Sequence, residues 1–222
     1  MTSPSPTHPF SLPSLTAEES QQAAREFYQR LATRRTVRNF SPQDVPEGVL
    51  ENAIRAAGTA PNGANLQPWH FAIVKSAETK HKIREAAEEE ERAFYQERAP
   101  KTWLDDLSHL GTNEEKPFLE IAPALIVIFQ KNKTSRPDGR EDKTYYPKES
   151  VGIATGMLIT ALHHAGLATL THTPSPMGFL NDVLTRPASE KPFLLLVVGY
   201  PSSDCQVPVI SKLPLEEISS LH

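Results

Sequence analysis

Apolar positions along the chain switch repeatedly between helical and strand spacing. A first helix is expected from near Thr16, whose hydroxyl forms a capping-box pattern with Glu19, to about Thr33. Phe40-Ser41-Pro42 and Val45-Pro46 interrupt it, and the spacing of Val49, Ala53, Ile54 and Ala57 predicts a second helix that stops at Gly58. Residues 70–75 read as a strand through Phe71 and Ile73. Residues 78–98 read as a long polar helix ended by Pro100. A shorter stripe of Trp103, Leu104, Leu107 and Leu110 follows, then a turn at Gly111-Thr112-Asn113. Leu125-Ile126-Val127-Ile128-Phe129 is a continuous apolar run, as in a strand buried on both faces. Residues 131–144 read as a charged loop with a turn at Asp138-Gly139, and 149–165 as a nearly all-apolar helix that is central or at a subunit contact. A short strand over 168–171, a small helix over 179–184 and a buried strand over 193–198 complete the pattern. Strands alternating with helices, with no internal repeat, imply one layered α+β or α/β domain over residues 19–222. Pro4, Pro6, Pro9 and Pro13 among Ser and Thr make residues 1–18 a flexible N-terminal tail.

Composition narrows the class. A chain of 222 residues with 38% hydrophobic and 23% charged residues is long enough for a substantial core and has an ordinary soluble balance. The net charge of −4 argues against nucleic acid as a partner. Cys205 is the only cysteine, which excludes an intramolecular disulfide and the usual Cys-based zinc site. No run approaches the ~18 apolar residues that span a bilayer, so no membrane association is expected and the cytoplasm is the expected location.

Against that background three stretches carry candidate chemistry. Arg34-Arg35-Thr36-Val37-Arg38 packs three guanidinium groups and a hydroxyl into five residues, suited either to holding a small anion or to forming the solvated basic end of the first helix. Residues 59–69 combine turn formers with the amides of Asn65 and Gln67 and end at Trp69, which fits a loop closing on a polar ring or a plain connection anchored in the core. The run Glu88-Glu89-Glu90-Glu91 reads first as a solvated face, although Glu91 and Tyr95 share one face of their helix. With Lys116 beyond the turn, residues 88–117 look like a mobile lid. No phosphate loop, dinucleotide fingerprint, His-Glu-x-x-His or nucleophile elbow is present, and His163-His164 cannot both face one metal. Difficult chemistry would need a borrowed cofactor, and no metal is expected.

Taken together these stretches resemble the nitroreductase superfamily of FMN enzymes and, within it, the iodotyrosine deiodinases, over roughly residues 19–216. The resemblance implies a three-layer α+β fold with a central mixed sheet flanked by helices, in an intertwined homodimer. FMN would be held by Arg34, Arg35, Thr36, Val37 and Arg38, by Pro61, Asn62 and Gly63, by Thr171, His172 and Thr173, and by Lys212. Thr173 would bond the flavin N5 and favour single-electron steps, the catalytic role. Ala64, Glu91, Tyr95 and Lys116 would bind a halotyrosine, Glu91 taking its ammonium, Lys116 its carboxylate and the Ala64 N–H its phenolate oxygen. Two departures stand out: Asn62 replaces the Ser more often found in mammalian-type deiodinases, and Lys212 replaces an Arg, a point charge for a bidentate fork. The activity implied is reductive dehalogenation of halogenated tyrosines by a soluble, bacterial-type enzyme that draws on an unidentified reductant. A nicotinamide-dependent nitroreductase or quinone reductase, and a non-catalytic binder of FMN or aromatic amino acids, are the alternatives.

Overall fold

The computed structural model describes residues 7–108, 112–135 and 139–222. Part of the N-terminal tail, Leu110 and Gly111 of the lid, and Asp138 of the expected turn therefore lie outside the described residues. The chain divides into two compact units between Arg34 and Arg35. In the first, α1 (Ala17–Ala32) opens as its sequence suggests: Thr16 Oγ1 accepts from Glu19 N at 3.2 Å while Glu19 Oε2 accepts from Thr16 N at 2.8 Å. None of its residues is buried, and Phe27 and Tyr28 are exposed.

The second unit holds α2 (Val49–Ala57), β1 (Trp69–Val74), α3 (Ala77–Ala93), α4 (Lys101–Ser108), α5 (Phe118–Ile121), β2 (Ala124–Lys131), β3 (Lys133–Ser135), β4 (Glu141–Lys143), α6 (Pro147–His164), β5 (Ala168–His172), α7 (Phe179–Val183), β6 (Glu190–Gly199) and α8 (Leu215–Ile218). Its sheet has the order β1-β2-β6-β5, with every neighbouring pair of strands antiparallel. The parallel component of the expected mixed sheet is a bridge between Thr36 and Thr169.

Strand alternation builds three layers. Ile126 and Ile128 of β2 with Leu196 and Val198 of β6 pack against Leu50 and Ala53 of α2 and Val151, Ala154, Leu158 and Leu162 of α6. Leu125, Val127 and Phe129 with Leu195 and Val197 face the other way, onto Ile83 and Ala87 of α3, Phe118 and Leu119 of α5 and Leu180 of α7. Residues 125–129 are fully buried, as a continuous apolar run predicts. The apolar helix α6 buries only its sheet-facing side, leaving Gly152, Ile153 and Gly156 exposed. One expectation is corrected: the stretch read as a charged loop contains the β3–β4 hairpin, with Lys133 opposite Lys143 and Ser135 opposite Glu141. Its strands have no apolar alternation to reveal them; Lys133 Nζ reaches Glu141 Oε2 at 3.4 Å across the pair.

Candidate active site

The arginine segment is pinned along the edge of the sheet. Val37 N donates to Thr169 O at 3.3 Å and its side chain is buried, so the neighbouring Thr36 and Arg38 turn outward. Both line a cavity of about 480 Å³ with Thr112, Phe118 and Gln206, Val207 and Pro208. Arg35 Nη2 donates to Pro208 O, tying the C-terminal segment to the same place. Among the described residues neither Arg35 nor Arg38 has a carboxylate partner. Burial pulls the Arg38 pKa down, against the raising effect of Tyr95. Arg34 closes the first unit, its N–H bonded to Leu31 O at 3.0 Å.

Beside that cavity lies a second, of about 260 Å³, lined by Arg38, Glu91, Phe94, Tyr95, Trp103, Leu107, Lys116, Phe118, Thr171, His172 and Thr173 among others. The two share Arg38, Thr112 and Phe118 and so adjoin. Ile83 and Ala87 seat α3 in the core, and Glu91, one turn beyond Ala87, lines the cavity. After Ala93 the helix widens into a π-helical turn over Phe94–Arg98, a distortion common at functional sites. There the Phe94 ring meets Tyr95 edge-on at 5.5 Å and Trp103 at 5.1 Å.

Lys116 is 2% exposed. Its Nζ lies 3.2 Å from Glu91 Oε2, 3.5 Å from Thr112 Oγ1 and 5.5 Å from the Tyr95 ring centroid, and it donates to Asn113 O. The ammonium is thus held within the chain by two hydrogen bonds and an ion pair. Its backbone N–H donates to Glu88 Oε1 at 2.7 Å, and Arg84 Nε donates to the same oxygen at 2.7 Å. Burial raises the Glu88 pKa, but those two donors outweigh it and hold the carboxyl below its ordinary value. The four-glutamate run is thus not a solvated face: Glu88 and Glu91 turn inward, Glu90 pairs with Arg98 at 2.9 Å, and only Glu89 is exposed. The reason is the 3.6-residue period, which spreads four consecutive residues around the helix.

Strand alternation also separates the residues of β5. Thr171 and Thr173 are exposed on one side; His172 is buried on the other, edge-on to Phe118 with centroids 5.8 Å apart and Nε2 3.9 Å from Glu91 Oε1. Burial first, and the Lys116 charge second, push the His172 pKa down to about 3, so the ring is neutral.

Within one chain the fold brings together Thr36, Arg38, Glu91, Tyr95, Lys116, Thr171, His172 and Thr173, with Arg35 nearby through Pro208. It does not bring in Pro61, Asn62, Gly63 and Ala64, which line neither cavity, nor Lys212, which is exposed on the C-terminal segment. The loop holding the former has a strained backbone. Ala64, Asn65 and Gln67 have φ of 52°, 54° and 47°, left-handed values that cost non-glycine residues about 1–3 kcal/mol each. Asn62 holds the turn, its Oδ1 accepting from Gln67 N at 2.8 Å and its Nδ2 donating to Ala60 O at 3.1 Å. Sequence reasoning missed the aromatic wall of Phe94, Trp103 and Phe118 and the contribution of Gln206 to Pro208; the first carried only the signal of aromatics in a polar stretch, the second none.

This geometry has a counterpart in known proteins. Residues 31–200 match the model of the nitroreductase family. A relative named iodotyrosine deiodinase from Haliscomenobacter hydrossis is 51% identical over 195 residues, 88% of each chain. The chain belongs to the nitroreductase family, on its iodotyrosine deiodinase branch. A second such relative, iodotyrosine deiodinase 1 of Homo sapiens, is 44% identical over 95% of this chain and 73% of its own. A crystal structure of oxidized iodotyrosine deiodinase bound to FMN and 3-iodo-L-tyrosine superposes with a TM-score of 0.73 at 29% identity, covering 85% of this chain and 97% of that one. As in other nitroreductase folds, helices flank the sheet on both faces; among the described residues no helix is long and apolar enough to cross a membrane.

Proposed function

We propose that this chain is an FMN-dependent reductive dehalogenase of halogenated tyrosines, releasing halide and tyrosine. The observation that carries the reading is one cavity walled by Glu91, Tyr95, Lys116 and Thr173 beside a second, polar cavity with which it shares Arg38. An amino-acid zwitterion needs an anion for its ammonium and a cation for its carboxylate, and Glu91 and Lys116 are that pair.

FMN suits the residues present. Arg35 and Arg38 are part-buried guanidinium groups with no carboxylate partner among the described residues, beside an opening large enough for a phosphate and its chain. Arg34, Thr36 and Val37 complete the proposed phosphate end, which Lys212, outside both cavities of its own chain, would join only from a second copy, and Pro61 to Gly63 with Thr171 to Thr173 the ring end. When bound, FMN supplies the two electrons that, with one proton, convert an aryl carbon–halogen bond into carbon–hydrogen and halide.

The protein's part is position and charge. Lys116 and Glu91 fix the amino-acid end, Tyr95 adds a hydroxyl donor, and the Phe94 and Trp103 rings keep water from the aromatic ring. Thr173, exposed at the cavity wall, offers its hydroxyl to the flavin N5, and the Ala64 N–H takes the phenolate oxygen. Because Pro61 to Ala64 line neither cavity of their own chain, we propose that a second copy provides them, in a homodimer with two sites. Exposed Ile153 on α6, Val209, Ile210 and Leu213 on the C-terminal segment, and Leu215 and Ile218 on α8 are the apolar surface such a dimer would cover. On this reading residues 19–222 act as one FMN domain with residues 88–117 as its lid, residues 1–18 are a tail, the location is cytoplasmic, and a separate reductant reloads the flavin.

The test is to reduce the FMN-loaded protein anaerobically, add 3-iodo-L-tyrosine and measure iodide. One iodide per flavin is expected; no iodide, with no change in flavin fluorescence on adding the amino acid, would sink the proposal.

A further inference from the structure

Among the described residues, His172 Nε2 and Ser202 Oγ are the buried side-chain polar atoms without a hydrogen-bond partner. Native interiors rarely leave such atoms unpaired, because each has given up water for nothing. His172 is 8% exposed and stands in the wall of the lid cavity. A carboxylate oxygen, Glu91 Oε1, lies 3.9 Å from Nε2, about 1 Å longer than a typical hydrogen bond. The other Glu91 oxygen is held by Lys116 at 3.2 Å.

Glu91 therefore has one oxygen engaged and one beside an unpartnered ring nitrogen, which can donate to it in the Nε2–H tautomer. When a zwitterion's carboxylate draws Lys116 away, Glu91 Oε2 loses its partner, and a shift of about 1 Å brings Oε1 onto Nε2. We infer that His172 is a positioning residue for the substrate: its neutral Nε2–H captures Glu91 as Lys116 turns to the substrate carboxylate, aiming Glu91 at the ammonium. This deepens, and rests on, the halotyrosine reading of the site.

Neutrality is what makes the arrangement useful. A cation at position 172 would cancel the Glu91 charge that the ammonium needs, whereas a neutral donor orients the carboxylate and leaves its charge intact. Burial and the neighbouring Lys116 both oppose protonation of the ring. The edge-on contact with Phe118 fixes the ring plane, and with it the direction of Nε2.

The experiment compares FMN-loaded wild type, His172→Phe and His172→Gln. Phe keeps a ring against Phe118 without the donor; Gln restores a neutral donor. Each is titrated by flavin fluorescence with 3-iodo-L-tyrosine and with 2-iodophenol, which lacks both charges. His172→Phe, reloaded with FMN, is expected to weaken iodotyrosine about 10- to 100-fold relative to iodophenol, as loss of a hydrogen bond to a charged group implies, with KM rising by more than kcat falls. Iodophenol should bind all three proteins alike, and His172→Gln should recover most of the loss. Wild-type affinity for iodotyrosine in His172→Phe, or equal weakening of both ligands, would overturn the inference. A second measurement needs no variant. In wild type labelled with ¹⁵N-histidine, iodotyrosine should shift the Nε2–H resonance of His172 downfield at constant neutral charge; an unmoved resonance also overturns it. Iodide release is scored separately, so a failure of dehalogenation is told apart from a failure of the His172 assignment.

Discussion

Lys116→Ala probes the centre of the proposed site. The side chain is almost wholly buried and its charge sits 3.2 Å from Glu91 Oε2. At an effective dielectric constant of about 20, opposite charges at that separation attract by roughly 5 kcal/mol. Part of that offsets the desolvation of both groups, and truncating one member of such a pair costs ~2–5 kcal/mol in practice. For a halotyrosine the variant loses the carboxylate contact but keeps Glu91 for the ammonium, which favours the lower end, a fall in affinity of about 30- to 100-fold. The assay is titration of bound-flavin fluorescence with 3-iodo-L-tyrosine, with 2-iodophenol as a ligand that never touches Lys116. Retained FMN and an unchanged circular dichroism spectrum establish that the variant is folded. Iodotyrosine affinity within about threefold of wild type would refute the zwitterion clamp, and an equal loss for iodophenol would mean that Lys116 acts through the lid's structure alone.

Four other outcomes follow from the same geometry. Thr173→Ala should bind iodotyrosine within about threefold of wild type yet release iodide roughly tenfold more slowly, as the loss of one hydrogen bond worth about 1.4 kcal/mol implies; stopped-flow iodide release decides, and an unchanged rate removes Thr173 from the chemistry. Glu88 has a folded pKa below its ordinary value, so the stability it lends the lid is complete above that value and disappears as pH falls through the folded pKa. Limited proteolysis should therefore cut residues 94–117 faster in acid, and Glu88→Gln should be cut that fast at neutral pH. A Cβ at Gly63 would lie 2.6 Å from Tyr145 Cβ and 2.9 Å from its carbonyl oxygen, so Gly63→Ala should cost about 1–3 kcal/mol in chemical denaturation. By calorimetry, iodotyrosine stripped of its ammonium should bind more weakly than iodotyrosine stripped of its carboxylate; the reverse order would contradict the pairing seen around Glu91 and Lys116.

The layers were legible because burial leaves a trace in residue type. The run from Leu125 to Phe129 could only be a strand covered on both faces, and the Val49, Ala53, Ala57 spacing could only seat one side of a helix. The β3–β4 hairpin left no trace, since its pairs are charged and its stability comes from backbone bonds and cross-strand contacts such as Lys133 with Glu141. In the site, residue chemistry singled out Arg38 and the shared helix face of Glu91 and Tyr95, and the family resemblance added Lys116 and Thr173; all five line adjoining cavities. Composition misread the glutamate run, because a count of like charges ignores the 100° between successive helical positions that sends Glu88 and Glu91 inward. Nor could sequence show that the two clamp charges hold each other, since that depends on a chain fold joining positions 25 residues apart.

That mutual pairing explains how a buried clamp can select a zwitterion. Held apart in readiness, Glu91 and Lys116 would each be a poorly solvated charge, the most expensive state available to them. Paired, they are compensated, and a ligand must supply something better before they separate. A zwitterion does, because it exchanges one ion pair for two. A ligand with a single charge takes one member and strands the other, and the two strandings are unequal. Lys116 without Glu91 still has Asn113 O and Thr112 Oγ1, whereas among the described residues Glu91 without Lys116 has only His172 Nε2, 3.9 Å off. On the proposed reading the ammonium is therefore the group the site can least do without, and discrimination among aromatic ligands would reside in the lid's charges, with the adjoining cavity at Thr36 and Arg38 left to the cofactor.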